Sequence, residues 1–227
     1  MYRFTFVHPT TVVIAGPTQC GKTQFLCRVL QEKRVQPDPQ RIVWLFSEWQ
    51  RAYDELAHQL PHIQFVKDFT RELYDSFDPN VRNMLILDDQ MENKAVHKRG
   101  ENTVTKFFTQ GSHHRNLTVV YIVQNLFNQD ASMRTVSLNT HYMVLFKNPR
   151  DATQIRTLGC QMYPDNARFL VDAYRDATSE PYGYLLVNLR PDACDALRVQ
   201  ADVFAHEATA YVPMSACTHR SRTNDSI

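Results

Sequence analysis

A three-layer α/β fold, with a mainly parallel sheet between two layers of helices, is what this chain of 227 residues predicts, on three observations. Short apolar runs alternate with segments whose apolar residues recur every three or four positions, the pattern of strands that cross over through helices. The first strong run, Thr11-Val12-Val13-Ile14-Ala15, leads directly into Gly16-Pro17-Thr18-Gln19-Cys20-Gly21-Lys22-Thr23, which matches G-x-x-x-x-G-K-[ST] at every defined position. A second run, Met84-Leu85-Ile86-Leu87, is apolar throughout and ends in Asp88-Asp89.

The first of these elements carries the most chemistry. A phosphate chain is densely negative, so its binding needs converging backbone N–H groups and a helix N-terminus aimed at the anion. Gly16 and Gly21 let the backbone wrap closely, Lys22 can reach the β- and γ-phosphates, and the Thr23 hydroxyl is placed to ligate Mg²⁺. Cys20, inside the loop, reads as a small uncharged filler. Over residues 24–33 the apolar Phe25, Leu26, Val29 and Leu30 fall on one helical face. Further strands are expected over residues 41–46, 63–66, 83–88, 117–123, 141–146, 183–188 and 197–203, the last two as an antiparallel extension. Helical spacing marks residues 51–60, 151–158 and 165–177. Residues 1–206 thus read as one ATPase domain of the P-loop NTPase type (RecA/ASCE-like). Residues 207–227 lose periodicity and read as a flexible tail.

Composition bounds the rest. Apolar residues at 43% and charged residues at 22% suit a globular protein and argue against disorder or membrane spanning. The N-terminus shows no long apolar stretch before the first core strand, so an intracellular, reducing setting is expected. Five scattered cysteines without C-x-x-C spacing indicate neither a disulfide framework nor a zinc site. A net charge of +1 means that any nucleic-acid surface must be local.

In the second element, Asp88 is the expected Mg²⁺ ligand and Asp89 the residue that polarises attacking water, with Glu92 as its possible helper. An apolar strand that merely ends in solvated acids is the alternative. The next strand, residues 117–123, delivers Gln124, either a sensor of the γ-phosphate or a cap of the following turn. Ahead of it, Ser112-His113-His114-Arg115-Asn116 is a polar corner expected to project from the edge of the nucleotide face. Arg115 could act across a subunit boundary on a neighbour's nucleotide, or form a surface ion pair. The local basic cluster, Asn93-Lys94-Ala95-Val96-His97-Lys98-Arg99, offers Lys94, Lys98 and Arg99 to a DNA backbone, or is simply a solvated helix face.

Together, the Gly16–Thr23 loop, the Asp88-Asp89 strand end, and the block from Gly111-Ser112-His113-His114-Arg115-Asn116 through Val123-Gln124-Asn125-Leu126-Phe127 resemble viral genome-packaging ATPases of the FtsK/HerA superfamily, most nearly the Polinton- and adintovirus-like motors. Ser47-Glu48-Trp49-Gln50, residues 145–150 and Tyr182-Gly183-Tyr184-Leu185-Leu186 look like further blocks of that group. The resemblance covers roughly residues 4–204. It implies an ATP- and Mg²⁺-dependent pump, assembled as a homo-oligomeric ring, commonly a hexamer, that drives double-stranded DNA into a viral capsid through contact with portal or vertex proteins. In cellular members the trans-acting arginine tends to lie where this sequence has His113, so Arg134 and Arg150 stand as reserves for Arg115. The competing reading is a P-loop small-molecule kinase or nucleotide switch without a DNA role. Arg150 with Arg156 would be its lid, and the absence of an N-K-x-D string speaks against guanine specificity.

Overall fold

The computed structural model describes residues 3–67, 70–88, 103–112, 115–125 and 131–214. Among these, nine strands form the main sheet. In chain order they are β2 (Thr11–Ala15), β4 (Arg41–Leu45), β5 (Ile63–Val66), β6 (Asn83–Asp88), β7 (Leu117–Val123), β8 (Tyr142–Phe146), β9 (Tyr184–Asn188), β10 (Val199–Ala201) and β11 (Thr209–Tyr211). Two further strands, β1 (Phe6–Val7) and β3 (Val35–Gln36), pair in parallel as a separate ribbon. Across the main sheet the order is β11-β10-β9-β8-β2-β7-β6-β4-β5. From β8 to β5 every pairing is parallel, whereas β9, β10 and β11 join by antiparallel pairings.

Alternation along the strands separates two apolar faces, because successive side chains of a strand point to opposite sides. Val13, Val43, Leu85, Val119, Tyr121 and Met143 face one core; Val12, Ile14, Ile42, Trp44, Ile86 and Val144 face the other. The second core is closed by α1 (Lys22–Gln31), α2 (Arg51–Gln59) and the β1/β3 ribbon. On the first lie α4 (Thr103–Lys106) with the π-helical turn Phe107–Gly111 that continues it, α5 (Ala131–Leu138), α6 (Ala152–Met162) and α7 (Ala167–Ala177). A short helix, α3 (Arg71–Asp75), precedes β6 and is capped by Thr70, whose hydroxyl accepts the Leu73 N–H at 3.2 Å. The three layers and the mainly parallel sheet agree with the sequence-based expectation. No helix among the described residues is long and apolar enough to cross a membrane.

Two expectations are corrected. The segment from Glu207 on is not structureless: β11 pairs with β10 through Thr209, Ala210 and Tyr211, and the Tyr211 hydroxyl donates to Asp176 Oδ2 at 2.7 Å. Three residues satisfied by a neighbouring edge strand need no periodicity of their own. Residues 215–227 lie outside the described residues. The polar corner at Arg115 is also misplaced by the sequence reading. It precedes a strand of the parallel set, so it stands at the amino edge of the sheet, where Asn83 Nδ2 donates to the Arg115 carbonyl at 3.1 Å. The phosphate loop follows a strand of that set and stands at the opposite, carboxyl edge.

Candidate functional site

At the carboxyl end of β2 the chain turns through Gly16–Gly21 into α1. Gln19 adopts φ +64° and Gly21 φ +103°, left-handed conformations that turn successive N–H groups toward one concavity. Gly16 is required for a different reason. A Cβ there would lie 2.7 Å from Cys20 Sγ and 2.7 Å from Phe146 Cβ, so loop and sheet approach more closely than any side chain allows. Helix α1 has Gly21 as its N-cap, no side-chain cap bond and no acidic residue in its first turn. Its leading N–H groups and the positive end of its dipole therefore point into the loop with no anionic side chain of their own to compensate them.

Lys22 closes the loop. Its ammonium donates to the carbonyls of Gly16 and Pro17, at 2.7 Å each, and approaches Cys20 Sγ at 3.9 Å. The lysine thus spans the mouth and sets a positive charge where phosphate oxygens would enter. Cys20 is half-buried beneath it, and burial pushes its thiol up despite the neighbouring Lys22. It stays protonated and serves as the small filler that its position suggests. Pro17, Thr18 and Gln19 form the rim, with Thr18 and Gln19 exposed.

On the same edge, Asp88 closes β6. It is only 4% exposed, and the Tyr53 hydroxyl from α2 donates to its Oδ2 at 2.7 Å. Burial first, then the Asp88 charge and this hydrogen bond, drive the Tyr53 phenol far above its ordinary value. The phenol therefore remains a donor. Cys27 links this acid to the loop: its thiol is pushed up to about 12 by burial and then by the Asp88 charge. Thr23 lies one helical turn before Cys27, on the same face of α1, so the hydroxyl and the buried carboxylate flank one region. Strand β7 separates β2 from β6, with Val123 opposite Ala15 and Ile122 opposite Asp88. Gln124 and Asn125 follow β7 between the loop and the acid, both exposed.

A polar relay at the end of β8 extends the edge on the other side of β2. Asn148 and Asp151 are each 6% exposed. Asn148 Nδ2 donates to Asp151 Oδ2 at 2.8 Å and to Asn125 Oδ1 at 3.3 Å, while its own N–H donates to the Tyr174 hydroxyl at 2.8 Å. Tyr174 in turn donates to the Phe146 carbonyl at 2.9 Å. Through this chain of bonds Asn125 is tied to the neighbouring strand end.

Other expected residues fall elsewhere. Arg115 is engaged within its own chain. Its guanidinium donates to the Phe77 carbonyl at 3.2 Å, pairs with Asp75 at 3.5 Å and sits 5.1 Å from the Tyr74 ring centroid. Arg134 and Arg150 are exposed, and Arg150 stands just beyond β8 on the phosphate-loop edge. Asp89, Glu92, Lys94, Lys98, Arg99, His113 and His114 lie outside the described residues. Tyr53 and Asp151 were not foreseen, and Asn148 only as a member of the block 145–150. Tyr53 is one apolar-face residue among several in α2, and no local signal distinguishes a tyrosine whose hydroxyl reaches another strand.

The donor set suits a hard cation held by hydroxyl and carboxylate oxygens. Among the described residues no group of three or more His, Cys, Asp or Glu is arranged as a metal cage.

No family model and no curated protein sequence matches the chain. Solved structures do. The genome-packaging NTPase B204 of Sulfolobus turreted icosahedral virus 2, in complex with ATP-gammaS, superposes with a TM-score of 0.52 at 11% identity, covering 91% of this chain and 98% of that one. The sulfate complex of the same protein gives 0.52 at 11% identity over 95% and 99%. This chain therefore shares the fold of that NTPase over nearly its whole length.

Proposed function

We propose that this chain hydrolyses ATP to drive double-stranded DNA into a viral capsid. The observation that carries the proposal is the shared sheet edge: an uncapped, glycine-framed helix N-terminus spanned by Lys22, with the buried carboxylate of Asp88 held on the same side. A helix end without its own anion binds phosphate, and a buried carboxylate next to it suits a phosphate-bound divalent cation. The genome-packaging role of a protein with the same fold supports the choice of DNA over a small-molecule acceptor.

In this reading Gly16 to Thr23 cradle the triphosphate. Thr23 and Asp88 would hold Mg²⁺, which when bound neutralises charge on the β- and γ-phosphates. Lys22 carries positive charge to the phosphoryl that leaves. Tyr53 fixes the plane of the Asp88 carboxylate. The amides at the end of β7, Gln124 and Asn125, stand between loop and acid, where a γ-phosphate or its attacking water would be met, and Asn148 passes any shift of Asn125 to β8. Asp89 remains the proposed base, and Lys94, Lys98 and Arg99 the proposed contacts to DNA phosphates. A closed homo-oligomeric ring, commonly a hexamer, docked on portal or vertex proteins completes the proposal. Arg150 replaces Arg115 as the preferred trans-acting arginine, because its exposed guanidinium belongs to the nucleotide edge.

Steady-state hydrolysis measured with and without duplex DNA tests this. Turnover that depends on Mg²⁺ and rises with duplex length is expected. Absence of ATP turnover under ring-forming conditions, or turnover indifferent to DNA, would sink the motor reading.

A further inference from the structure

The turn that leads into β9 places an aromatic side chain in a backbone conformation that favours glycine. The Gly183 N–H donates to the Glu180 carbonyl at 3.1 Å, closing a four-residue turn with Pro181 second and Tyr182 third. Tyr182 adopts φ +63°. Proline followed by a left-handed residue is the pattern of a type II turn, whose third position favours glycine because a Cβ crowds the backbone there. Nothing in the packing compensates: Tyr182 is 71% exposed, and its hydroxyl makes no hydrogen bond among the described residues. An unfavourable backbone conformation that serves no core points toward a role in binding.

The ring does lie beside the phosphate loop. A Cβ on Gly21 would lie 3.2 Å from Tyr182 Cδ1 and 3.7 Å from its Cβ, with Phe146 Cε1 at 3.5 Å. Strand order then gives the direction. Asp88 lies on the β6 side of the loop, so the γ end of a bound triphosphate points that way. The opposite end, which carries the sugar and base, runs toward β8 and β9. Because β9 is antiparallel to β8, with Tyr184 opposite Phe146, its first residues reach the carboxyl edge. The exposed tyrosine thus stands where the base would emerge.

We propose that Tyr182 is the stacking face for the nucleotide's base, an inference that rests on reading the Gly16–Thr23 loop as a triphosphate site. A flat aromatic face reads ring area rather than hydrogen-bonding pattern, so it favours purine over pyrimidine nucleoside triphosphates.

Equilibrium binding of ATP and of inorganic triphosphate to the full chain, in wild type, Tyr182→Gly and Tyr182→Phe, tests it. Glycine suits the turn, so that variant should melt no lower than wild type, and loss of folding will not mask the result. Tyr182→Gly should bind ATP about tenfold more weakly, the order expected for one lost stacking contact, and bind inorganic triphosphate as before. Tyr182→Phe should match wild type with both. Unchanged ATP affinity in Tyr182→Gly overturns the inference, as does equal weakening of both ligands, which would place the effect in the loop backbone at Gly21. Wild type that binds neither ligand overturns the triphosphate reading itself.

Discussion

Replacing Tyr53 with phenylalanine isolates the contact that orients the buried acid. The substitution removes one hydroxyl and keeps the ring, which stacks on Phe65 at 5.1 Å and tilts against Trp44 at 5.1 Å between centroids. The lost bond is short, 2.7 Å, and both partners are buried, so Asp88 loses a donor where water has little access. Hydrogen bonds to charged groups are worth about 1.5–3 kcal/mol, and for a chain of this size each kcal/mol shifts the melting temperature by roughly 2–4 °C. A drop of about 3–12 °C is therefore expected. A purely structural bond would stop there. If the hydroxyl also sets the carboxylate for a cation, the Mg²⁺ concentration for half-maximal ATP turnover should rise about tenfold or more, as outer partners of metal ligands typically do. Refutation is a lower melting temperature with unchanged Mg²⁺ dependence, which would reduce Tyr53 to packing.

Lys22→Ala removes the charge that spans the loop; triphosphate affinity should fall by about 2–3 kcal/mol, roughly 30- to 150-fold, by equilibrium binding. Gly159→Ala places a Cβ 2.5 Å from the Ala167 carbonyl oxygen and must part α6 from α7, costing about 1–3 kcal/mol in denaturant unfolding while nucleotide binding is retained. Arg115→Ala loses the bonds to the Asp75 and Phe77 carbonyls and the Tyr74 ring, so stability should fall by about 1–2 kcal/mol with triphosphate affinity unchanged; an affinity loss without destabilisation would restore a role at the nucleotide. His8 is buried, with Nδ1 2.7 Å from Thr118 Oγ1 and Nε2 2.9 Å from Asn116 Oδ1. Burial, opposed by the Asn116 bond and reinforced by the Arg82 charge, lowers its pKa from 6.5. Its unfolded form takes the proton first, so its contribution is present above about pH 6.5 and is lost as pH falls through that value, with a slope of at most about 1.4 kcal/mol per pH unit. His8→Asn should flatten unfolding free energy between about pH 7 and 5 relative to wild type.

How much of this was legible in the sequence depends on where the causes lie. Gly16 and Gly21 are required by backbone conformation and close approach, which act within a few residues, and the motif exposes them. Apolar runs that fill a parallel sheet are equally local, so β2, β6 and β7 appear with their observed bounds. The β1/β3 ribbon does not, because two residues such as Phe6-Val7 show no period and pair only once Val35-Gln36 is beside them. The same holds for β11, which exists through β10. At the site, Asp88 was visible as a carboxylate at the end of a buried strand, but the hydroxyl that holds it comes from Tyr53, on a helix whose register against β6 no nearby residue announces. Likewise Asn148 and Asp151 become a relay only when β7 and β8 place Asn125 within reach across β2.

Strand direction decides the remaining placements, and direction is a property of pairs. In a parallel set, chemistry expected of a nucleotide edge belongs after a strand, and residues ahead of one belong to the opposite edge. Arg115 precedes β7 and therefore lies among Asp75, Phe77 and Tyr74, far from the loop that follows β2. A sequence reading that weighs only proximity to an apolar run cannot tell these two ends apart. At β9 the rule inverts. Because β9 runs against its neighbour, the residues ahead of it return to the phosphate edge, and the Glu180–Gly183 turn arrives beside Gly21 although no motif spans the intervening chain. The same inversion lets the final third of the chain contribute to a site whose glycine loop sits near its beginning. Nucleotide contacts from that third should therefore cluster at the start of β9, where Tyr182 is proposed to stack, and beyond the end of β10, which runs against β9 and so with the parallel set.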